Sequence, residues 1–488
     1  MSQASSLEAE AKDQTDPSSL RQQPTTEMQT NTLEQREKLR WRLKPFPELA
    51  KLAWPIAVSM LSFSAMTLSD TLFVSQLGAA QVAGVGLGGV AAFTLICFGF
   101  GGLRSVKVLI SQAVGAARRD RIPRLVAAGV LSAVALGLVA VVLGRFFGPL
   151  LTNMAATTLQ GQTAAEYFWV RNLGAPLVLS SVALREVRYG VGDSHSPMRI
   201  SLLANGANIG LDYLFIFPLG LGAAGAAWAS VAAAGLECLA LLYVQRSDGF
   251  GFRSVRSRDV LDVVRMGWPL GLQMLVEVGS FALLTVLIAG MGETDGAGHQ
   301  IAMQLVHFSF LPAFATGEAA SILVGQAVGA NEDGLVKRVG RQTLLLVSLY
   351  TGSCALVIAL FPNWLISAFT DDPELIRVTR SLLYVAAVFQ VFDGMHIVGR
   401  CVLRGTGDVR RPALVTGALA WLATPPLTYF LGKHLGWGAL GGWIGLSVEI
   451  VAGALFLWWR LERGGWKRAA ERSRQELESD VPVAVPAE

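Results

Sequence analysis

The sequence predicts an all-α polytopic membrane protein, with twelve transmembrane helices in two pseudo-twofold-related six-helix lobes. Three observations carry this prediction. Of 488 residues, 52% are hydrophobic and only 16% are charged, against roughly 25% charged in ordinary soluble domains. Twelve apolar stretches follow one another along the chain, each near the roughly 20 residues that cross a bilayer as a helix. The second six repeat the first. The 52 glycines suit membrane helices whose backbones approach closely. Such a composition excludes a disordered chain and argues against an ordinary soluble enzyme.

Residues Met1 to about Thr32 are rich in Gln, Thr, Ser, Glu and Pro, and a flexible tail is expected there because little apolar surface is available to bury. From Leu33 to Lys51 the chain turns basic and mildly amphipathic, with Arg36, Lys38, Arg40, Arg42 and Lys44 beside Trp41 and Phe46. That pattern suits a helix lying on a membrane surface. No apolar stretch begins before about Leu49, so no ordinary cleavable signal peptide is expected. The predicted spans are 52–75, 82–113, 124–147, 165–188, 199–219, 222–245, 265–290, 299–326, 340–363, 381–403, 412–432 and 437–459. They divide the chain into a tail (1–50), a first lobe (51–245), an inter-lobe loop (246–264), a second lobe (265–460) and a charged C-terminal tail (461–488).

Loop charge sets the orientation. One set of connections carries Arg118, Arg119, Arg121 and Arg124, then Arg246, Arg253, Arg256 and Arg258, then Lys337, Arg338 and Arg341, then Arg410 and Arg411. The alternate set is nearly free of Lys and Arg, and one member reads Thr370-Asp371-Asp372-Pro373-Glu374. The positive-inside rule puts the basic set in the cytoplasm. Both termini join that side, which demands an even number of spans. A multi-pass protein of the cell (inner) membrane with cytoplasmic termini is expected.

The halves repeat at a nearly constant offset. Trp54-Pro55 recurs as Trp268-Pro269, Met60-Leu61 as Met274-Leu275 and Ala83-Gly84 as Ala297-Gly298. Gln112-Ala113-Val114-Gly115-Ala116 recurs unchanged as Gln326-Ala327-Val328-Gly329-Ala330. Later, Gly190-Val191-Gly192-Asp193 matches Gly405-Thr406-Gly407-Asp408, and Pro197 matches Pro412. Six spans per repeat is an even number, so the repeats share one topology and are related by an axis along the membrane normal. Two similar lobes about a central cleft suit alternating access.

The duplicated halves, the Trp-Pro opening of the first and seventh spans, the two loop signatures and Asp70 within Ser69-Asp70-Thr71-Leu72-Phe73-Val74 resemble the multidrug and toxic compound extrusion (MATE) family. Arg171-Asn172-Leu173-Gly174-Ala175-Pro176 and Asn208-x-x-Leu211-Asp212 resemble its DinF-like branch. The resemblance covers about residues 45 to 460. It implies a cation-coupled exporter of amphipathic, usually cationic compounds, with the coupling site of this branch at Asp70, Asn208 and Asp212. It also matches Glu277 and Asp393 to acidic cation-binding positions of the NorM-like branch. Phe389, one turn before Asp393, stands where that branch often has tyrosine.

The residues themselves point the same way. An ionisable group deep in a span costs at least a few kcal/mol and is a functional candidate by default. Asp70 lies well inside the first span, and Asn208 and Asp212 share one face of the fifth, four residues apart. Two carboxylates close together in a low dielectric do not both stay ionised, so such a pair can take up a proton. The same oxygens suit sodium, a hard cation, and no other metal site is expected. Asp70 has Leu284 at its repeat-equivalent position and Glu277 has Phe63, so the lobes are expected to divide labour. Glu277 and Asp393 bind cation or substrate, or else pair structurally.

Arg104 is the repeat equivalent of Glu318. Near the axis, Arg104 or Lys107 can therefore pair with Glu318 across the cleft as a cytoplasmic gate; the alternative is snorkelling to the interface. Arg171 reads as structural, and His299, Gln300 and Gln304 as candidates for the outer vestibule. The substrate cleft draws on Phe63, Met66, Phe73, Phe281, Phe308, Phe310, Phe389 and Gln304, since aromatics and acids attract lipophilic cations.

Neither Gly-x-Gly-Asp turn carries the Lys-Ser/Thr of a nucleotide P-loop. The four cysteines lie in apolar stretches without metal-type spacing. No cofactor, enzymatic activity or nucleic-acid partner is expected. The expected partners are the bilayer and small lipophilic cations, the protein acting as a monomer coupled to protons or sodium. A lipid-linked oligosaccharide flippase of the wider superfamily is the alternative. A membrane-embedded enzyme and a channel rank below it.

Overall fold

The structure is a computed structural model that describes residues 40–479. The expectations for residues 1–39 and 480–488 lie outside the described residues. Arg40–Leu43 form a short 3-10 helix.

From Lys44 onward the chain is helical. The helices are α1 (Pro45–Ser75), α2 (Ala79–Gly115), α3 (Ile122–Met154), α4 (Thr158–Leu173 continuing as Ala175–Gly190), α5 (His195–Ile216) and α6 (Gly222–Gln245). The second half follows as α7 (Ser257–Ala289), α8 (Glu293–Gly329), α9 (Asp333–Leu360), α10 (Pro373–Gly405), α11 (Arg410–Leu422, continuing through Thr424–Leu427 and Thr428–His434) and α12 (Ala439–Glu462). A further helix, α13 (Lys467–Glu478), follows. Each of the twelve predicted spans coincides with one of α1–α12. The observed helices are longer: α2, of 37 residues, measures about 55 Å at 1.5 Å per residue, against a hydrocarbon core of about 30 Å. The extra turns stand outside the bilayer.

By length and composition, ten of the described helices are apolar enough to cross a membrane. The other two are α4 and α5. The α4 helix is broken at Gly174, ahead of Ala175-Pro176. A proline ring disfavours helical geometry in the residue before it and supplies no N–H, so the helix restarts there. The polar α5 helix carries Asn205, Asn208 and Asp212.

The duplication extends to the backbone. Ala117 and Asn331, related by the repeat, both adopt φ 59° in the turns after α2 and α8. Gly192 and Gly407 adopt φ 89° and 82° in the turns before α5 and α11. The same left-handed turn closes the same helix pair in each lobe.

The lobes meet through α2 with α7, its repeat counterpart α1 with α8, and α2 with α8 on the axis. The tightest approaches lie toward the end that carries the basic loops. A Cβ on Gly115 would sit 2.0 Å from the Gln326 carbonyl oxygen, and one on Gly329 would sit 2.0 Å from the Gln112 carbonyl oxygen. The contact is reciprocal, and its four residues belong to the Gln-Ala-Val-Gly-Ala string. That string is repeated because it is the lobe–lobe contact, where only glycine admits the opposing backbone. Gln112 Nε2 also donates to the Gly405 carbonyl at 3.1 Å, and Ser105 Oγ to that of Val263 at 3.1 Å.

Within the stretch expected to be a charged tail, α13 buries Ala470, Ser473 and Leu477 on one face. It packs under both lobes. Arg118 donates to the Leu477 carbonyl, while Arg474 donates to the Val328 carbonyl at 2.9 Å and pairs with Asp333. Arg118 also chelates Asp120 at 3.0 Å, and that hydrogen bonding holds the Asp120 carboxyl below its usual range.

Gly115→Val and Gly329→Val should each drive the basic ends apart. Overpacking costs about 1–3 kcal/mol, so the closed arrangement should lose roughly tenfold in population. A cysteine introduced at the buried Ser111, in a background without native cysteines, should then be labelled correspondingly faster from the basic side. Unchanged labelling would show that this contact does not set closure.

Candidate functional site

In the first lobe, Asp70 of α1 meets Asn208 and Asp212 of α5, the latter two wholly buried. One helical turn separates Asn208 from Asp212, so both side chains reach the same point on α1. With its amide oriented to satisfy the surrounding network, Asn208 donates to Asp70 Oδ1 at 2.9 Å and to Asp212 Oδ2 at 3.1 Å. Its oxygen accepts from the Ser230 backbone N–H of α6 at 3.2 Å. Asp212 Oδ1 is buried without a donor. Tyr167 of α4 and Phe73 of α1 pack in the apolar cluster alongside, with Val74 and Ile216. The structure thus brings together the three residues the sequence singles out. It adds Ser230, whose contribution is a backbone N–H and leaves no sequence signal.

The second lobe handles its charges differently. Glu277 of α7 pairs with Arg400 of α10 at 2.6 Å and accepts from Gln273 at 2.9 Å. Gln273 in turn donates to Thr416 of α11 at 3.1 Å. Arg400 was absent from the sequence-derived site, although it lies seven residues after Asp393 on the same helical face. Asp393 is half-buried and makes no hydrogen bond among the described residues, within electrostatic reach of Arg400 and Glu277. Glu449 of α12, also missed, accepts from the Thr424 hydroxyl.

The cross-lobe pairing expected of Arg104 or Lys107 with Glu318 falls to Lys107. Its ammonium, 1% exposed, contacts Glu318 of α8 and lies 3.0 Å from Glu186 of α4. Arg404 of α10 reaches the other Glu318 oxygen at 2.5 Å. Arg104 stays at the margin, 3.9 Å from Glu318, with its guanidinium over the Phe314 ring at 5.1 Å. Glu186–Lys107–Glu318–Arg404 is a buried chain of alternating sign, two members from each lobe. Glu186 and Arg404 were not expected in it, since both stand near span ends where snorkelling is common.

The aromatic candidates separate. Phe63, Phe281 and Phe308, on α1, α7 and α8, are exposed, and so is Gln304. Phe310 stacks on Phe314 at 5.4 Å. Met66 is buried on α1, and Phe73 packs edge-on against Phe217. Phe389 is buried in the second lobe, edge-on to Trp443, and it also lines an apolar cavity with Tyr384 and Val388. His299 is not a vestibule residue. It is buried and accepts from Trp443 Nε1 at 3.1 Å. Among the described residues, no group of three or more His, Cys, Asp or Glu could hold a metal ion.

A duplicated bundle whose halves meet toward one end, with carboxylates buried inside its spans, has the architecture of a secondary transporter. The MatE family model matches residues 55–214 and 269–430, one match per lobe, and the chain belongs to that family of transporters. It is 31% identical over 431 residues to the probable multidrug resistance protein NorM of Burkholderia pseudomallei, covering 85% of this chain and 92% of that one. It is 28% identical over 459 residues to the probable NorM protein of Pseudomonas syringae pv. tomato, covering 89% and 97%. In fold it matches a MATE crystal structure in the bent conformation (TM-score 0.81, 22% identity, 90% of this chain and 99% of that one). It also matches a MOP superfamily transporter from Pyrococcus furiosus (TM-score 0.80, 22% identity, 86% and 96%). Motifs resembling the DinF-like branch thus occur in a chain whose full-length relatives carry the NorM name.

Glu318→Gln should leave Lys107 and Arg404 buried beside each other without Glu318 between them. Removing one partner of a buried pair costs about 3–5 kcal/mol, so the basic end should open, read as faster labelling of the cysteine at position 111. The swap Lys107→Glu with Glu318→Lys should not restore closure, because each new charge would face a like one, Glu186 or Arg404. Full rescue by that swap would mean that the pair acts alone.

Proposed function

We propose that this chain is a secondary active multidrug efflux antiporter that exchanges protons for amphipathic, mostly cationic organic compounds by alternating access of its two lobes. The basic end is the cytoplasmic one, the membrane is the cell (inner) membrane, and the protein works as a monomer. The Lys107–Glu318 chain serves as the cytoplasmic gate.

The observation that carries the choice of proton is the pair of carboxylates, Asp70 and Asp212, set around one amide at a buried point. Two carboxylates close together in a low dielectric do not both stay ionised, so such a pair can take up a proton. The donorless Asp212 Oδ1 offers an acceptor for a proton.

The named relatives support multidrug transport, and the chemistry of the second lobe supports cationic cargo. Asp393 offers an unpartnered carboxylate, and the exposed Phe63, Phe281 and Phe308 offer ring faces that attract lipophilic cations. A flippase for lipid-linked sugars would want unpaired central cations for a pyrophosphate. Here Arg400 is taken up by Glu277, which disfavours that alternative.

The test is efflux of a fluorescent lipophilic cation from proteoliposomes under separately imposed gradients. A proton gradient should drive transport and a sodium gradient alone should not. Asp70→Asn and Asp212→Asn should each reduce proton-driven transport to the passive leak. Sodium-driven transport, or undiminished coupling in both variants, would overturn the reading.

A further inference from the structure

Outside the transport pathway, a cavity of about 320 Å³ opens at the basic end between the start of α7, the turn before α11 and the α13 helix. Six arginines line it against three carboxylates. Two of those carboxylates are already engaged. Asp408 is held by Arg460 at 2.6 and 3.1 Å, and Asp262 by Arg121 at 2.5 Å. Five guanidiniums, those of Arg265, Arg410, Arg411, Arg468 and Arg472, make no ion pair among the described residues. They come from three separate elements and converge on one space. Arg410 is also the first residue of α11, so the positive end of that helix adds to the field.

The internal repeat provides a control. The corresponding first-lobe turn has the same left-handed glycine, Gly192 in place of Gly407, and the same Asp and Pro. It carries His195 and Ser196 where the second lobe carries Arg410 and Arg411. The turn therefore folds without arginines. Orientation alone does not explain them either, since positive-inside charge can sit anywhere on the loops, whereas these side chains gather around a cavity.

The flanks of the cavity indicate what carries the anion. On α7, Leu261, Val264, Arg265 and Trp268 fall at i, i+3, i+4 and i+7, one helical stripe. The three apolar members are 62%, 50% and 44% exposed. Leu414, three residues beyond Arg411, is 64% exposed. Apolar surface suited to acyl chains thus leads from the bilayer to the guanidiniums. Basic pockets at the ends of membrane helices recognise anionic headgroups, and the planar guanidinium fork matches phosphate oxygens.

We propose that this cavity is a phosphate-binding site, occupied by the headgroup of an anionic phospholipid. The bound phosphate joins Arg468 and Arg472 of α13 to Arg265, Arg410 and Arg411 of the second lobe. Because α13 also accepts from Arg118 of the first lobe through the Leu477 carbonyl, occupancy braces the closed basic end.

The test uses the purified full-length protein and native mass spectrometry, with phosphatidylglycerol offered against phosphatidylcholine and with inorganic phosphate in a separate arm. Two variants come from different walls, Arg410→Gln with Arg411→Gln, and Arg468→Gln with Arg472→Gln. The control removes two exposed basic charges elsewhere, Arg253→Gln with Arg338→Gln. At about 1 kcal/mol per surface arginine, each pocket variant should lose the phosphatidylglycerol preference by roughly tenfold or more, with the control unchanged. Binding of inorganic phosphate that both pocket variants lose, without a lipid preference, would support the site with a soluble phosphate as its source. Equal losses in pocket and control variants, or no loss in either pocket variant, would overturn it. None of these readouts depends on transport, so the proposed antiport can fail without touching this result.

Discussion

The closest approaches between the two lobes are set by glycine. At Gly115 and Gly329 the α carbons lie against the opposing carbonyls of Gln326 and Gln112, and the other cross-lobe arrangements lie within reach of that crossing. Lys107 is eight residues before Gly115 on α2, about 12 Å along the helix, which sets its ammonium against Glu318. The Gln112 side chain holds the end of α10 through Gly405, and α10 is the helix that brings Arg404 to the same carboxylate. The α13 helix closes underneath, between Arg118 and Val328. Together with the approaches of Gly101 to the Leu270 carbonyl and Gly267 to the Gly102 carbonyl, this crossing holds the lobes where four buried charges meet, and parting them would strand each charge.

Three of the charge groups inside the helical bundle are stabilised in three different ways. The cross-lobe chain alternates in sign, so each ion has opposite neighbours. Glu277 has Arg400 and an amide donor. Asp70 and Asp212 make no ion pair among the described residues: Arg171 reaches them only at a distance, and their near donor is the Asn208 amide. Desolvating a carboxylate is costly unless it is paired and hydrogen-bonded. The first two groups meet that condition from within the fold, whereas the third meets it only with something added. This is the physical reason for placing the proposed coupling site there rather than at the better-paired Glu277.

How legible these features were in the sequence follows the same division. The twelve helices and the duplication were readable because apolar length and repeated strings are properties of single segments. Asp70, Asn208 and Asp212 were readable because a deep carboxylate and an i, i+4 pair each announce themselves locally. Ser230 was not, since it acts through its backbone. Glu186 and Arg404 stand at span ends, where a charge is ordinary until tertiary packing buries it. The Trp443 neighbour of Phe389 was not readable either, because an aromatic residue type does not say which ring it packs against. The α13 helix was hidden by its composition. Its charges dominate, and the stripe of Trp466, Ala470 and Leu477 that docks it is only a few residues long.

The comparison of the halves carries the argument one step further. The duplication has kept backbone geometry, down to matching left-handed turns at Ala117 and Asn331 and at Gly192 and Gly407. Charge has diverged at Asp70 and Leu284, at Phe63 and Glu277, and at Ser196 and Arg411. Symmetric shape serves motion about the axis, whereas the proposed coupling site and the proposed anion pocket each need to exist only once. At the axis itself divergence is also a physical requirement. Arg104 and Glu318 occupy equivalent positions and lie within 3.9 Å. Had the duplicate kept the arginine, two guanidiniums would face each other across the contact, and like charges at that distance oppose closure. Inverting the sign in one lobe turns a repulsion imposed by symmetry into the attraction that supports the closed end.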